Sequence, residues 1–254
     1  MSGPRIAYIL PSYGQWEYVE ITARSFFKHT PDGTLILIDD CSPDANEFDF
    51  EAFERDCPKG QTIVHRFPEN GGLTRSWNEG LCYARKIEAE YAICGNSDVK
   101  FTSGWAEPLI AGITSGYQLA GPVTNAPGVT ARGLQDVGRY VPSYQLNDDD
   151  KNLESIARQL RASANRLVVS PTGINGFFMF SSTAKWWELP FDNSHVFNPS
   201  KAFRMQRQED ELEGRMRRAG KQFVVCPASF IFHYRTVSRH QKFRKRGWYR
   251  RPKA

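Results

Sequence analysis

Apolar residues along the first hundred positions come in short runs, and the stretches between them show helical spacing. Residues 5–10, 34–38, 62–67 and 91–94 read as strands, and 91–94, apolar or aromatic throughout and too short for a helix, suits a strand buried on both faces. Between the first two, residues 17–29 place Val19, Ala23, Phe26 and Phe27 on one helical face and stop before Pro31. A second helical stretch, residues 46–55, precedes the third run. Strand, helix and strand in repeated order predict a mostly parallel sheet with helices on both faces. Polar residues follow three of the runs directly: Pro11-Ser12-Tyr13-Gly14, Asp39-Asp40-Cys41-Ser42 and Gly95-Asn96-Ser97-Asp98. These are strand tips, and ligands of open α/β sheets sit outside the carboxyl ends of the strands.

The remainder is less regular. Residues 105–113 predict a helix and 118–122 a short strand, whereas 125–147 show little periodicity and read as a functional loop or a mobile one. Asp148-Asp149-Asp150 reads as the acidic start of a helix over 153–164. Strands are expected at 167–170, 176–181, 223–225 and 230–232. Gln208-Glu209-Asp210-Glu211-Leu212 opens a helix with Leu212 and Met216 on one face, three arginines near its end and Gly220 beyond. Trp186 and Trp187 suit core packing or stacking on a sugar ring. His233 reads as a metal ligand or a hydrogen-bonded structural histidine.

Composition adds a core and a charge asymmetry. With 40% hydrophobic residues and 17 phenylalanines, 254 residues supply one large domain or two small ones. No apolar run approaches membrane-spanning length, and residues 1–5 are not followed by a signal-peptide core. Five scattered cysteines point to a reducing, cytoplasmic location and away from a zinc site. Residues 214–254 hold 13 of the 33 basic side chains and none of the 28 acidic ones, so the first 213 carry a balance of −8. A basic segment on an acidic body suggests a polyanionic partner or an anionic membrane surface.

The strand tips hold the candidate chemistry. Asp98 can hold Mg²⁺ or Mn²⁺ together with substrate phosphates, or close an Asx-turn. The Asp39-Asp40 pair can bind metal, accept a ribose hydroxyl or a base N–H, or cap a turn. In Asn70-Gly71-Gly72-Leu73-Thr74-Arg75 the glycines permit close backbone approach, Thr74 is a candidate N-cap, and the helix start beyond favours an anion.

Asn70-x-Gly72 followed by Asn78-x-Gly80 resembles the N-x-G-x5-N-x-G signature of family 2 glycosyltransferases with the GT-A fold. Pro11-Ser12-Tyr13 and residues 38–42 are similar to that family's first two strand tips. Asn96-Ser97-Asp98 resembles its D-x-D metal motif, with Asn96 in place of the first aspartate. The resemblance covers residues 6–234 and implies a single GT-A domain over 1–235, with a nucleotide-binding half at 1–100 and an acceptor half at 101–235. Residues 236–254 stand apart as a basic, aromatic segment.

The implied activity is inverting transfer of a sugar from a nucleotide-sugar, expected to be UDP-linked, to an acceptor hydroxyl. Asp210 matches the family's catalytic base. Pro11, Tyr13, Asp40, Asn70, Gly72, Arg75, Asn78, Asn96 and Asp98 fall on its donor site, with Asp98 and His233 as ligands of Mn²⁺ or Mg²⁺. The expected acceptor is a glycan or lipid-linked glycan. A modified base of viral DNA, or nucleic-acid binding by an inactive transferase body, stands as the alternative, and the basic segment allows peripheral membrane contact. A nucleotidyltransferase would need a glycine-rich, lysine-containing loop after the first strand, which Pro11-Ser12-Tyr13-Gly14 lacks.

Overall fold

The computed structural model describes residues 3–127, 133–145, 147–201 and 208–234. Its first half is a parallel unit: β1 (Ile6–Ser12), α1 (Trp16–His29), β2 (Thr34–Asp39), α2 (Phe50–Asp56), β3 (Thr62–Arg66), α3 (Leu73–Lys86) and β4 (Tyr91–Gly95). The second half comprises β5 (Val99–Phe101), α4 (Ala106–Thr114), β6 (Leu119–Val123), α5 (Asp150–Ser163), β7 (Val168–Ser170), β8 (Phe178–Ser182), α6 (Thr183–Trp186), α7 (Gln208–Arg218) and β9 (Phe223–His233).

The strands form one sheet in the order β3-β2-β1-β4-β8-β6-β9-β5, with β7 also on β9. Pairing is parallel from β3 through β4. It turns antiparallel at β8, so the sheet is mixed. Strand alternation feeds two cores. Ile6, Tyr8 and Leu10 of β1 join Val19, Ala23 and Phe26 of α1 and Leu109 of α4, while Ala7 and Ile9 face Trp77 and Leu81 of α3. Helices therefore cover both faces.

Tight packing fixes several glycines. A Cβ on Gly80 would lie 2.2 Å from Ile9, so α3 presses directly on β1. Trp77 donates its indole N–H to the Gly95 carbonyl at 3.2 Å, and Trp186 donates to Ala92 at 3.0 Å, fastening α3 and α6 to β4. Trp186 is thus core. Trp187 is half-buried, with the Arg85 guanidinium 5.1 Å from its ring.

The structure differs from the sequence expectation at four elements. The expected helix over 46–55 divides because Asp49 caps α2, accepting the Ala52 N–H at 2.9 Å. Thr74 is not a cap: Gly72 takes that position and Thr74 lies inside α3. β5 is three residues long and gains its definition from pairing with β9. Two expected strands are one, because β9 continues across Pro227 by a register shift opposite Pro122 and Val123.

Candidate functional site

The carboxyl ends of β1, β2 and β4 bring the polar tips together. Asp39 is buried, its Oδ1 accepting from the Ser42 N–H at 2.9 Å and hydroxyl at 2.5 Å while Oδ2 pairs with Arg66 at 3.3 Å. Ser42 Oγ in turn accepts the Gly14 N–H at 2.7 Å, joining the β1 and β2 tips. Asp40 holds the glycine turn. Its Oδ1 accepts from the Gly71 N–H at 2.9 Å and from Arg75 at 2.8 Å, and Oδ2 accepts from the Gly72 N–H at 2.6 Å. Asn70 donates to the Asp40 carbonyl at 3.3 Å. Gly72 sits at φ 80, a conformation that favours glycine. Arg75 also lies over the Phe67 ring, 3.7 Å from its centroid. One lone pair on Oδ2 of Asp40 has no partner among these contacts. Pro11 is buried within β1, and Tyr13 beyond it is 54% exposed.

Asn78 lies elsewhere. It is buried, donating to the Phe197 carbonyl at 2.9 Å and accepting the Phe197 N–H at 2.8 Å, so its amide binds the segment before α7 to α3.

At the β4 tip the chain turns tightly against β1. A Cβ on Gly95 would meet the Tyr8 hydroxyl at 2.5 Å, and that hydroxyl donates to the Asn96 carbonyl at 2.5 Å. Asp98 Oδ1 lies 3.2 Å from His233 Nε2, with both side chains largely buried. The Asn96 amide nitrogen is 3.2 Å from the same His233 nitrogen. The His233 backbone is clamped by Asn125, which accepts its N–H at 2.8 Å and donates to its carbonyl at 3.0 Å. Its ring stacks on Phe177 with centroids 5.0 Å apart. His233 Nδ1 is buried without a hydrogen-bond partner.

Four carboxyls sit along α7, of which Glu211 pairs with Arg215 at 3.2 Å. Asp210 is exposed on its first turn. Glu209 is half-buried and packs on Gly176, where a Cβ would lie 3.1 Å from its carboxyl carbon. Burial and the neighbouring Asp210 push its pKa up. Glu213 is fully buried, which raises its pKa to about 8.

The model of glycosyl transferase family 2 matches residues 8–184. The chain belongs to glycosyl transferase family 2. A search of curated proteins finds no match. Among solved structures, a crystal structure of GalNAc-T7 with UDP, GalNAc and Mn²⁺ aligns at TM-score 0.66 and 16% identity. The alignment covers 91% of this chain and 43% of that one, so the family 2 chain spans less than half its length. The likeness shows the GT-A fold. Asp210 and His233 lie beyond the family match; contacts with Asp98 and Asn96 bring His233 to the β4 tip, and none of the described contacts joins Asp210 to it.

Donor chemistry at the β4 tip of this family 2 chain suits a divalent cation. A proton on His233 Nε2 would satisfy Asp98 and oppose the Asn96 NH₂; without it, Asp98 faces a lone pair. Turning the Asn96 amide so that its oxygen faces His233 removes the conflict by itself. Carboxylate, amide oxygen and imidazole are donors Mn²⁺ accepts, and phosphates and water commonly complete such sites. No group of three His, Cys, Asp or Glu side chains able to hold a metal occurs among the described residues.

Sequence reasoning did not reach Glu213, Asn125 or Tyr8. For Glu213 a signal existed: it neighbours Leu212 and lies three residues before Met216, on the apolar stripe of α7. For Asn125 and Tyr8 the partners are 108 and 88 residues away, and no local pattern reports them.

Proposed function

We propose that the chain is an inverting transferase that moves a sugar from a UDP-linked donor to an acceptor hydroxyl, with a divalent cation at the β4 tip. The observation that carries this reading is the convergence of Asp98, Asn96 and His233 on one point at the carboxyl end of the sheet. The glycine turn tied to Asp40 supports it, as does GalNAc-T7, a chain of the same fold crystallised with UDP, GalNAc and Mn²⁺.

In this reading residues 1–100 hold the donor. Pro11 and Tyr13 pack against the base, whose N–H donates to the remaining lone pair on Asp40. Asn70, Gly72 and Arg75 border the diphosphate, and Asn78 keeps α3 and its leading turn in place. Asp98 and His233, with Asn96, hold Mn²⁺ or Mg²⁺, which when bound offsets charge on the departing diphosphate. Residues 101–235 form the acceptor side. Asp210 takes the proton of the acceptor hydroxyl. The hydroxyl oxygen attacks the anomeric carbon opposite the leaving group, and UDP departs with the electron pair of the broken bond.

The acceptor is a glycan or lipid-linked glycan of anionic character, recruited by the basic residues of 236–254. That segment lies outside the described residues. The experiment is a screen of nucleotide-sugars for hydrolysis with Mn²⁺ present. UDP-sugars are expected to be cleaved, and excess EDTA to stop the reaction; full activity in EDTA contradicts the reading.

A further inference from the structure

One turn beyond Asp210, α7 encloses a carboxyl completely. Glu213 is 0% exposed; its Oε1 accepts the Ile174 N–H at 2.6 Å, and its Oε2 has no hydrogen-bond partner. Arg217 Nη1 lies 3.9 Å from Oε2 and donates to the Thr172 carbonyl at 2.8 Å. The 172–174 turn is shaped around this carboxyl. A Cβ on Gly173 would lie 1.7 Å from Oε2, and Gly173 has φ 122, so only glycine accommodates both the contact and the backbone. Leaving one oxygen of a buried acid unpaired is costly, and a well-packed apolar side chain in this place avoids that cost. Stability alone therefore does not account for Glu213.

What the turn supports does. Ile174 leads in three residues to Phe177, whose carbonyl accepts the Asn96 N–H at 2.9 Å and whose ring stacks on His233 at 17° between planes. Asn175 is fixed midway, donating its N–H to Gln135 at 2.8 Å and accepting that of Phe177 at 3.1 Å. Hydrogen bonds and a stacked ring thus hold the 174–177 segment between α7 and the β4 tip.

We infer that Glu213 is a positioning residue: by gripping Ile174 it sets Phe177, and through Phe177 the orientation of His233 and Asn96. α7 then carries the proposed base on its exposed side and braces the cation site from its buried side. This rests on the cation reading above.

The test is Mn²⁺ binding by the intact protein without nucleotide, followed by the spectroscopic signal of the free ion. Wild type binds. Glu213→Gln keeps an oxygen for the Ile174 N–H and is expected to bind within about twofold of wild type. Glu213→Ala is expected to bind roughly tenfold more weakly, the lower end for supporting groups around a metal. In UDP-sugar hydrolysis the loss is expected as a higher half-saturating Mn²⁺ concentration, with kcat recovered at saturating Mn²⁺. Should the alanine variant fold poorly, Glu213→Asp withdraws the carboxyl by one methylene and is expected to weaken Mn²⁺ in the same direction. Wild-type affinity in the folded alanine or aspartate variant overturns the inference, as does a glutamine variant as weak as alanine. A wild type that binds no Mn²⁺ instead overturns the cation reading, and this inference with it.

Discussion

Glu213 holds its proton far above the ordinary glutamate range because burial disfavours the charged form, a bias only partly offset by the Ile174 N–H and Arg217. Its pKa rises from 4.5 to about 8, so between those values the folded chain binds more protons than the unfolded one. Its contribution to stability is fully present below the lower value and declines as pH rises toward the upper. Glu213→Gln cannot ionise. The melting temperature of the variant relative to wild type is therefore expected to climb between pH 4.5 and about 8 and to level off above. Parallel profiles would show that Glu213 ionises normally. Asp210 makes the opposite case, exposed and available to solvent. Asp210→Asn is expected to lower transfer on the order of a hundredfold or more while UDP binding survives. Loss of UDP binding would make Asp210 a donor residue. The motif singles out Asp210 as a candidate in the sequence; for Glu213 the apolar stripe of α7 signals burial, but not its contact with a glycine 40 residues earlier in the chain.

The parallel half of the sheet was readable at the scale of elements because β1, β2 and β4 are apolar on both faces and end in polar tips. β5 and the continuous β9 were not, since pairing with distant strands defines the first and a register shift carries the second past Pro227. The glycine motif divides by element too. Gly72 starts α3 at positive φ, whereas Gly80 lets α3 lie on β1. Gly80→Ala is expected to destabilise the fold by about 1–3 kcal/mol through overpacking against Ile9. The shift in denaturation midpoint measures this, and donor affinity at temperatures where the variant stays folded should be unchanged. A midpoint equal to wild type would mean α3 can move off β1 at little cost.

In the whole molecule, the sheet brings residues more than a hundred positions apart to one point: Asn96 and Asp98 from the β4 tip and His233 from the end of β9. The acidic balance of the first 213 residues and the basic run after them were plain in the sequence. The meeting of His233 with Asp98 was expected only through the family resemblance, because neither carries a local signal for the other and Asn125 fixes His233 from a third element. Among the described residues no helix is long and apolar enough to cross a membrane. The proposed assignment makes this meeting point the cation site of a UDP-sugar transferase. It is tested most directly by UDP release from UDP-sugars in Mn²⁺, comparing wild type with Asp98→Ala at matched folded concentration. Metal-dependent release by wild type and its loss in Asp98→Ala, with the melting temperature retained, is the expected result. Equal release by the two proteins would contradict it.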